Sequence, residues 1–566
     1  MTSRRAARAL GVGLALVFAS ALSAPLRNDQ LARGQRGAVV TAEPHATRVG
    51  LEVLRAGGNA IDAAVAVFLA LAVTHPGAGN LGGGGFFVIR MADGTATTFD
   101  FRERAPAAAH RDMYLRADGS VDPERSVVGA LAAAVPGSPA GLVAALARFG
   151  TRPLAELAAP AIALARDGFE VSHFLADDLA EARDLLRRFA STRKVFFVGD
   201  DPLPAGSRLR QPDLAATLER FAAGGFAGFY AGETAALLAA QMRSLGGAIT
   251  AADLAAYEVK ERPVLRGQYR GCEVLTMPPP SSGGVALLQM LNLLEPYDLR
   301  SLGLGASRSA HLLLEVMKRA YADRSRWLGD PDHYAVPLAG LVSKAYADTL
   351  RAGIRTDRAT KAAPGVPPGA PESDDTTHFS VVDAAGNAVS CTTTINSTFG
   401  SGLVVEGAGF LLNNEMDDFS AKPGVPNQFG LVGGTANAVG AGKRPLSSMT
   451  PAIVVADGKV RLVLGSPGGG RIINTVLQVI VNVVDHGLPL EVAVAAPRIH
   501  HQWRPDVVRF EHNALVPDVR TTLQAMGHVL ADGPMGIGRC QAIEVGSQGL
   551  RTAVADPRSG GTAAAY

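Results

Sequence analysis

"DDTTHFSVVDAAGNAVSCTTTINSTFG" (374–400) is the stretch on which the reading of the fold turns. Before it, and sharing its first two aspartates, runs "KAAPGVPPGAPESDD" (361–375), whose repeated prolines make an exposed, extended linker. Within the stretch, "HFSVVD" and "AVSCTTTI" flank the turn residues Gly386 and Asn387, the pattern of two strands joined by a hairpin. Thr376 and Thr377 stand where linker meets strand. β-Branched residues suit strands, so a threonine pair there has a plain structural explanation. It also has a chemical one. A threonine hydroxyl is a weak nucleophile and needs an adjacent base. Cutting the peptide bond before Thr376 would free an α-amine with a pKa of roughly 7.7–8.0, partly neutral near neutral pH. One residue would then carry both nucleophile and base, on a linker that can be severed without unravelling the strand.

Outward from this stretch the pattern repeats. "PAIVVADGKVRLVLGSPGGG" (451–470) gives two strands around Asp457-Gly458, and apolar helix-period sequence follows from Arg471 to Val484. Near the start, "ATRVGLEVLRAGGNAIDAAVAVFLALAVTHP" (46–76) gives two helices broken at Gly57-Gly58-Asn59. The second is almost wholly apolar but only about four turns long, which suits a buried helix and not a membrane span. "GNLGGGGFFVIRMADGTATTFDFRERAP" (79–106) gives a glycine run, a strand, an Asp93-Gly94 turn and a second strand ending near Arg102. Residues 130–350 are mostly helical by period. Strand pairs with helices on both sides predict stacked sheets covered by helices, a layered α/β arrangement.

Of 566 residues, 47% are apolar and 19% charged, a globular composition. A net charge of +2 lacks the basic excess of a nucleic-acid or anionic-membrane binder. "MTSRRAARALGVGLALVFASALSAP" has a basic start, a short apolar core and a small-x-small site. It reads as a secretory signal cleaved after Ala21, which places the mature protein in the periplasm or outside the cell. Cys272, Cys391 and Cys540 are too few and too widely spaced for a disulfide framework or a metal site, and read as small buried side chains.

The motifs "GGGGFF", "DFRERAP", "MPPPSSGG", "AYADRSRWLGDPD", "TTHFSVVDAAGNAV", "NSTFGSG", "GFLLNNEMDDFSAKPGVPN", "KRPLSSMTP", "GSPGGGRII" and "APRIHHQW" follow one another along the chain. Together they resemble the γ-glutamyltransferase (glutathione hydrolase) family of bacterial, exported type. The resemblance implies an N-terminal-nucleophile hydrolase with a four-layer αββα core. It implies a precursor that cuts itself between Asp375 and Thr376 into a large subunit (22–375) and a small one (376–566), held as a heterodimer. The implied reaction passes a γ-glutamyl group from glutathione or a similar donor, through an ester on Thr376, to water or to an amino acid or dipeptide acceptor. No metal or organic cofactor is implied.

The resemblance also assigns residues. Thr394 would orient the nucleophile, and Gly468 and Gly469 would offer backbone N–H groups to the oxyanion. Arg102 would clamp the donor's α-carboxylate with Ser447 and Ser448. Asp418, with Asn396 and Glu415, would hold its α-ammonium. Read without the resemblance, Arg102 is a surface arginine paired with Glu103, and Asp417 is a residue of a solvated turn. "DFSAKPGVPNQFG" matches a loop that covers the site in bacterial relatives. Phe429 stands there in place of a tyrosine that bonds the asparagine matching Asn396, which predicts a looser lid unless a neighbour such as Gln428 supplies the bond. His500 and His501, adjacent in a strand, point to opposite faces and read as structural. "GSPGGGR" lacks the lysine of a phosphate-binding loop, and "GNLGGGG" precedes a strand and not a helix, so neither reads as a nucleotide site. Two alternatives stay open: a glutaryl-cephalosporin acylase or poly-γ-glutamate transpeptidase on the same scaffold, and an uncleaved, non-catalytic binding protein.

Overall fold

The structure, a computed structural model, describes residues 26–362 and 376–566. The leader and most of the Pro-rich linker, including Asp375, lie outside the described residues.

Period-2 sequence builds two seven-stranded sheets. The first half of the chain supplies β1 (Leu31–Gly34), β2 (Ala38–Thr41), β3 (Gly84–Arg90), β4 (Ala96–Asp100), β5 (Lys260–Arg262), β6 (Leu265–Tyr269) and β7 (Cys272–Thr276). The second half supplies β8 (Thr377–Val382), β9 (Ala388–Thr394), β10 (Ala452–Ala456), β11 (Lys459–Gly465), β12 (Gln541–Val545), β13 (Arg551–Ala555) and β14 (Thr562–Ala565). One sheet runs β14-β2-β8-β9-β3-β4-β5 and the other β1-β13-β12-β11-β10-β7-β6, antiparallel throughout.

Both expected hairpins form. In the first, the Asp383 carboxylate accepts the N–H groups of Gly386 and Asn387, each at 3.0 Å, and closes the turn between β8 and β9. The strand after Asp93-Gly94 stops at Asp100, two residues short of Arg102.

The sheets pack face to face over Phe86, Val88, Leu275, Ile453, Val463 and Ile543. Alternation along β3 sends Phe87 and Ile89 the other way, into a helical layer. That layer includes α1 (Pro44–Arg55) and α2 (Ala60–Thr74). Asn59 caps α2 by accepting the N–H groups of Ile61 and Asp62, and every α2 residue is buried. The opposite layer includes α3 (Gly283–Leu294), α4 (Ser307–Trp327) and α5 (Arg471–Val484) over β7, β10 and β11. The result is the four-layer αββα sandwich of the N-terminal-nucleophile hydrolases.

One region departs from the sequence reading. Residues 260–276, inside the span expected to be mostly helical, form β5 and β6 at the sheet edges and β7 beside β6. The alternating burial of Leu265, Gly267 and Tyr269 and the left-handed pair Arg270-Gly271 mark a hairpin that the surrounding helical periodicity obscured.

Candidate active site

The β8–β9 register pairs Thr377 with Thr393, so the next step along brings Thr376 to Thr394. Their hydroxyl oxygens lie 3.3 Å apart, with Thr376 donating. Thr394 Oγ1 also accepts the Asn396 N–H at 2.7 Å, and its carbonyl accepts Asn80 Nδ2 at 3.0 Å. Asn396 reaches this position with φ +74°, in the left-handed region that asparagine tolerates better than most residues. A hydroxyl at a strand terminus, held by a second hydroxyl that is itself fixed, is what an oriented nucleophile requires.

All but Gly468 of the site residues implied by the resemblance line one small cavity of ≈ 20 Å³ around Thr376. Arg102 lies in it fully buried, which corrects the surface-arginine reading. It forms ion pairs with Glu415, Asp418 and Glu103 and donates from Nε to the Pro445 carbonyl at 3.1 Å. Asp100 braces the strand end beneath it, accepting the Arg102 N–H at 3.0 Å, Arg444 Nη1 at 2.6 Å and Arg262 Nε at 2.8 Å. Three carboxylates therefore share one guanidinium. Burial pushes Glu103 up to about 7 and Glu415 well above the usual carboxylate range, although Arg102 pulls both down. Glu103 Oε1 and Glu415 Oε2 have no hydrogen-bond donor while both groups are ionised. A proton retained on the pair satisfies both oxygens. The residues that the resemblance assigns to the two ends of an amino acid pair with each other.

Ser447 and Ser448 form the adjacent wall. Ser448 Oγ accepts Arg324 Nη2 at 3.0 Å, and Arg324 Nε donates to Ser282 at 2.9 Å. Arg324 is buried on α4 and adds a second cation near the cavity, one absent from the sequence reading. Gly469, at φ +51°, lines the same cavity as Thr376, and Gly468 stands one residue earlier at φ +131°. Both precede α5, whose N-terminal dipole favours negative charge at this point.

The loop that carries Phe429 contributes Phe429 and Leu431 to the cavity wall. Asp417 is buried beneath it and accepts Ser126 Oγ at 2.7 Å and the Gln428 N–H at 3.0 Å. This overturns the solvated-turn reading of Asp417, whose carboxyl burial raises to about 7. Phe429 is 2% exposed. Asn396 Nδ2 donates to the Asn414 carbonyl at 3.0 Å, and Gln428 Oε1 accepts Ser397 Oγ at 2.8 Å. Gln428 thus ties the loop to Ser397 and not to Asn396.

His500 and His501 are buried in structural bonds, to Asn474 and Gln502 and to Asp506 and Trp503 respectively. The three cysteines are buried and unbridged. Among the described residues, His311, Glu315 and His528 have candidate ligand atoms within 4.8 Å of one another. Lys318 and Arg319 already pair with Glu315, and two cations there make a poor metal site. No helix among the described residues is long and apolar enough to cross a membrane.

Residues 46–566 match the Gamma-glutamyltranspeptidase family. The chain is 50% identical to the glutathione hydrolase proenzyme of Escherichia coli (strain K12), over 93% of this chain and 91% of that one. Its structure superposes on a cephalosporin acylase from Bacillus halodurans with a TM-score of 0.85 at 27% identity, over 96% and 98% of the two chains. With the Helicobacter pylori γ-glutamyltranspeptidase the TM-score is 0.57 at 44% identity, 60% of this chain matching 97% of that one. With its site, its sandwich and these likenesses, the chain belongs to the γ-glutamyltranspeptidase family.

Proposed function

We propose that this protein is an exported γ-glutamyl transferase and hydrolase that matures by cutting its own chain between Asp375 and Thr376. The observation that carries the reading is the placement of the Thr376–Thr394 hydroxyl pair in one cavity with Arg102, Asp418, Ser447 and Ser448. A free α-amino acid end is a zwitterion. Entering between Arg102 and the carboxylates of Asp418 and Glu415, it takes the place of their direct pairing, its carboxylate meeting Arg102 and the serines and its ammonium meeting Asp418 and Glu415. The exchange adds no net charge to the buried site, which a donor with only one of the two charges cannot achieve.

After the cut, the Thr376 α-amine takes the hydroxyl proton as Oγ attacks the γ-carbonyl carbon. The N–H of Gly469, at the head of α5, faces the developing oxyanion. The amine then gives its proton to the departing nitrogen, leaving a γ-glutamyl ester. Water releases glutamate; an amino acid or dipeptide takes the acyl group as a new amide. Residues 1–21 serve as the export signal to the periplasm or medium, and 22–375 and 376–566 remain together as large and small subunits. The word "proenzyme" in the relative's name supports processing, as does the match of little more than half of this chain to a nearly complete solved chain.

The test is the purified protein with Thr376→Ala beside it, run on a denaturing gel and incubated with glutathione. Wild type is expected as two bands that release glutamate, and the variant as one inactive band. Two subunits of normal size from Thr376→Ala would sink the assignment. A glutaryl donor, which lacks the ammonium, separates this reading from an acylase: it should be turned over far more slowly than its γ-glutamyl counterpart.

A further inference from the structure

The first turns of α4 and the C-terminal half of α5 bound a cavity of ≈ 200 Å³ that shares no residue with the one around Thr376. Leu299, Leu313, Val481, Val492 and Leu515 form much of its wall. Asn482, also in the wall, stands roughly 16 Å along α5 from the helix end at the reaction site. An apolar cavity of about 150 Å³ is enough to hold benzene, so the size suits a small aromatic molecule. Leu304 and Val516 belong to the same wall and are exposed, so its apolar lining reaches the surface.

Most polar groups of the wall are already engaged. Ser309 Oγ donates to the carbonyls of Gly303 at 2.6 Å and Ala306 at 2.9 Å. Gln478 Nε2 donates to the carbonyls of Asn474 at 2.8 Å and Ile499 at 2.9 Å, and its Oε1 accepts the Ile499 N–H at 3.0 Å. Asn513 is exposed and His486 partly so, within reach of water. Asn482 differs. It is 5% exposed, and its Nδ2 donates to the Ala493 carbonyl at 3.2 Å. A carbonyl partner needs the donor end of the amide, so that bond fixes which amide atom is Oδ1. Oδ1 accepts no hydrogen bond among the described residues. A buried acceptor without a donor is costly and uncommon. Among the described residues the wall holds no Asp, Glu, Lys or Arg, and burial lowers the pKa of His486. A charged ligand would therefore enter without a counter-charge.

We propose that this cavity binds a small, uncharged aromatic molecule with one hydroxyl or ring N–H, which donates to Asn482 Oδ1 while the ring fills the apolar walls.

Indole is the probe. Its control is benzofuran, which has nearly the same shape but an oxygen in place of the N–H. Each is titrated into the mature protein and followed by ligand-observed NMR. Wild type should bind indole saturably and roughly two- to tenfold more tightly than benzofuran. Asn482→Leu should bind the two alike. Ala310→Phe fills the cavity and should abolish binding of both. Leu313→Trp, at a less buried position, does the same should Ala310→Phe not fold, and circular dichroism reports the fold of each variant. No saturable binding of indole, equal affinities for the two probes in wild type, or a folded, filled variant that still binds indole overturns the proposal.

Discussion

Two buried ion clusters sit on opposite sides of this molecule's function. In the site, Arg102 faces Glu103, Glu415 and Asp418, with two carboxylate oxygens lacking a donor. On α4, Glu315 pairs with Lys318 and Arg319, and all three bind the segment just ahead of the linker. Lys318 Nζ donates to the Thr360 carbonyl at 2.7 Å, and Arg319 donates to the Leu350 carbonyl at 3.1 Å and to that of Gly353 at 2.6 Å. Glu315 accepts the Thr360 N–H at 3.0 Å. No polar side-chain atom of this second cluster is buried without a partner. The proton affinities diverge accordingly. Burial opposes charge in both places, but Lys318 and its neighbours outweigh it and lower the pKa of Glu315, whereas one arginine among three carboxylates cannot do the same for Glu103 and Glu415. Fully paired buried charge fastens the fold; underpaired buried charge waits for a ligand.

Breaking the satisfied cluster should have the largest effect. Glu315→Ala leaves a lysine and an arginine buried without a counter-charge, which costs about 3–5 kcal/mol. Urea unfolding of the full chain measures it, and a loss below about 1 kcal/mol would show that the cluster is ornamental.

The site cluster should respond the other way, with activity lost and stability kept. Asp418→Asn removes one charge from a carboxylate-rich group and should leave unfolding free energy within about 1 kcal/mol of wild type. It should lower kcat/KM for glutathione by one to two decades, about 1.5–3 kcal/mol in transition-state binding, while the chain still cuts itself. Equal kcat/KM for the variant and wild type would refute the placement of the α-ammonium.

A further effect lies in the pH dependence of stability. From about 4.5 to about 7, the folded chain keeps a proton at Glu103 that the unfolded chain has released. The folded state then binds more protons, so this contribution to stability falls as pH rises through that window. Asp417 adds a fall of the same sign. Glu315, with a lowered pKa, has the opposite sign: its contribution is present above the ordinary glutamate value and is lost as pH falls through the folded one. Glu415→Gln should flatten the decline between about pH 5 and pH 8 without removing it. An unchanged slope in that variant would mean that the site carboxylates do not share a proton.

The sequence by itself determined the local architecture. Period-2 runs around Gly386 and Asp457, the helix breaks at Gly57-Gly58-Asn59 and the apolar run of α2 each state their own secondary structure, because backbone preference and alternation act within a few residues. The motifs also named the residues that meet at Thr376. Tertiary structure alone decided how those residues are charged and held. Glu415 lies 313 positions from Arg102 along the chain, and Asp417 lies 291 from the Ser126 hydroxyl that donates to it. Whether a carboxylate is a solvated turn residue or a buried anchor depends on such partners and on the dielectric they leave around it, neither of which has a period to read. The same holds for Arg324 behind Ser448, for the Gln428–Ser397 bond and for the strands of residues 260–276. Each takes its role from a surface built by residues far away in the chain.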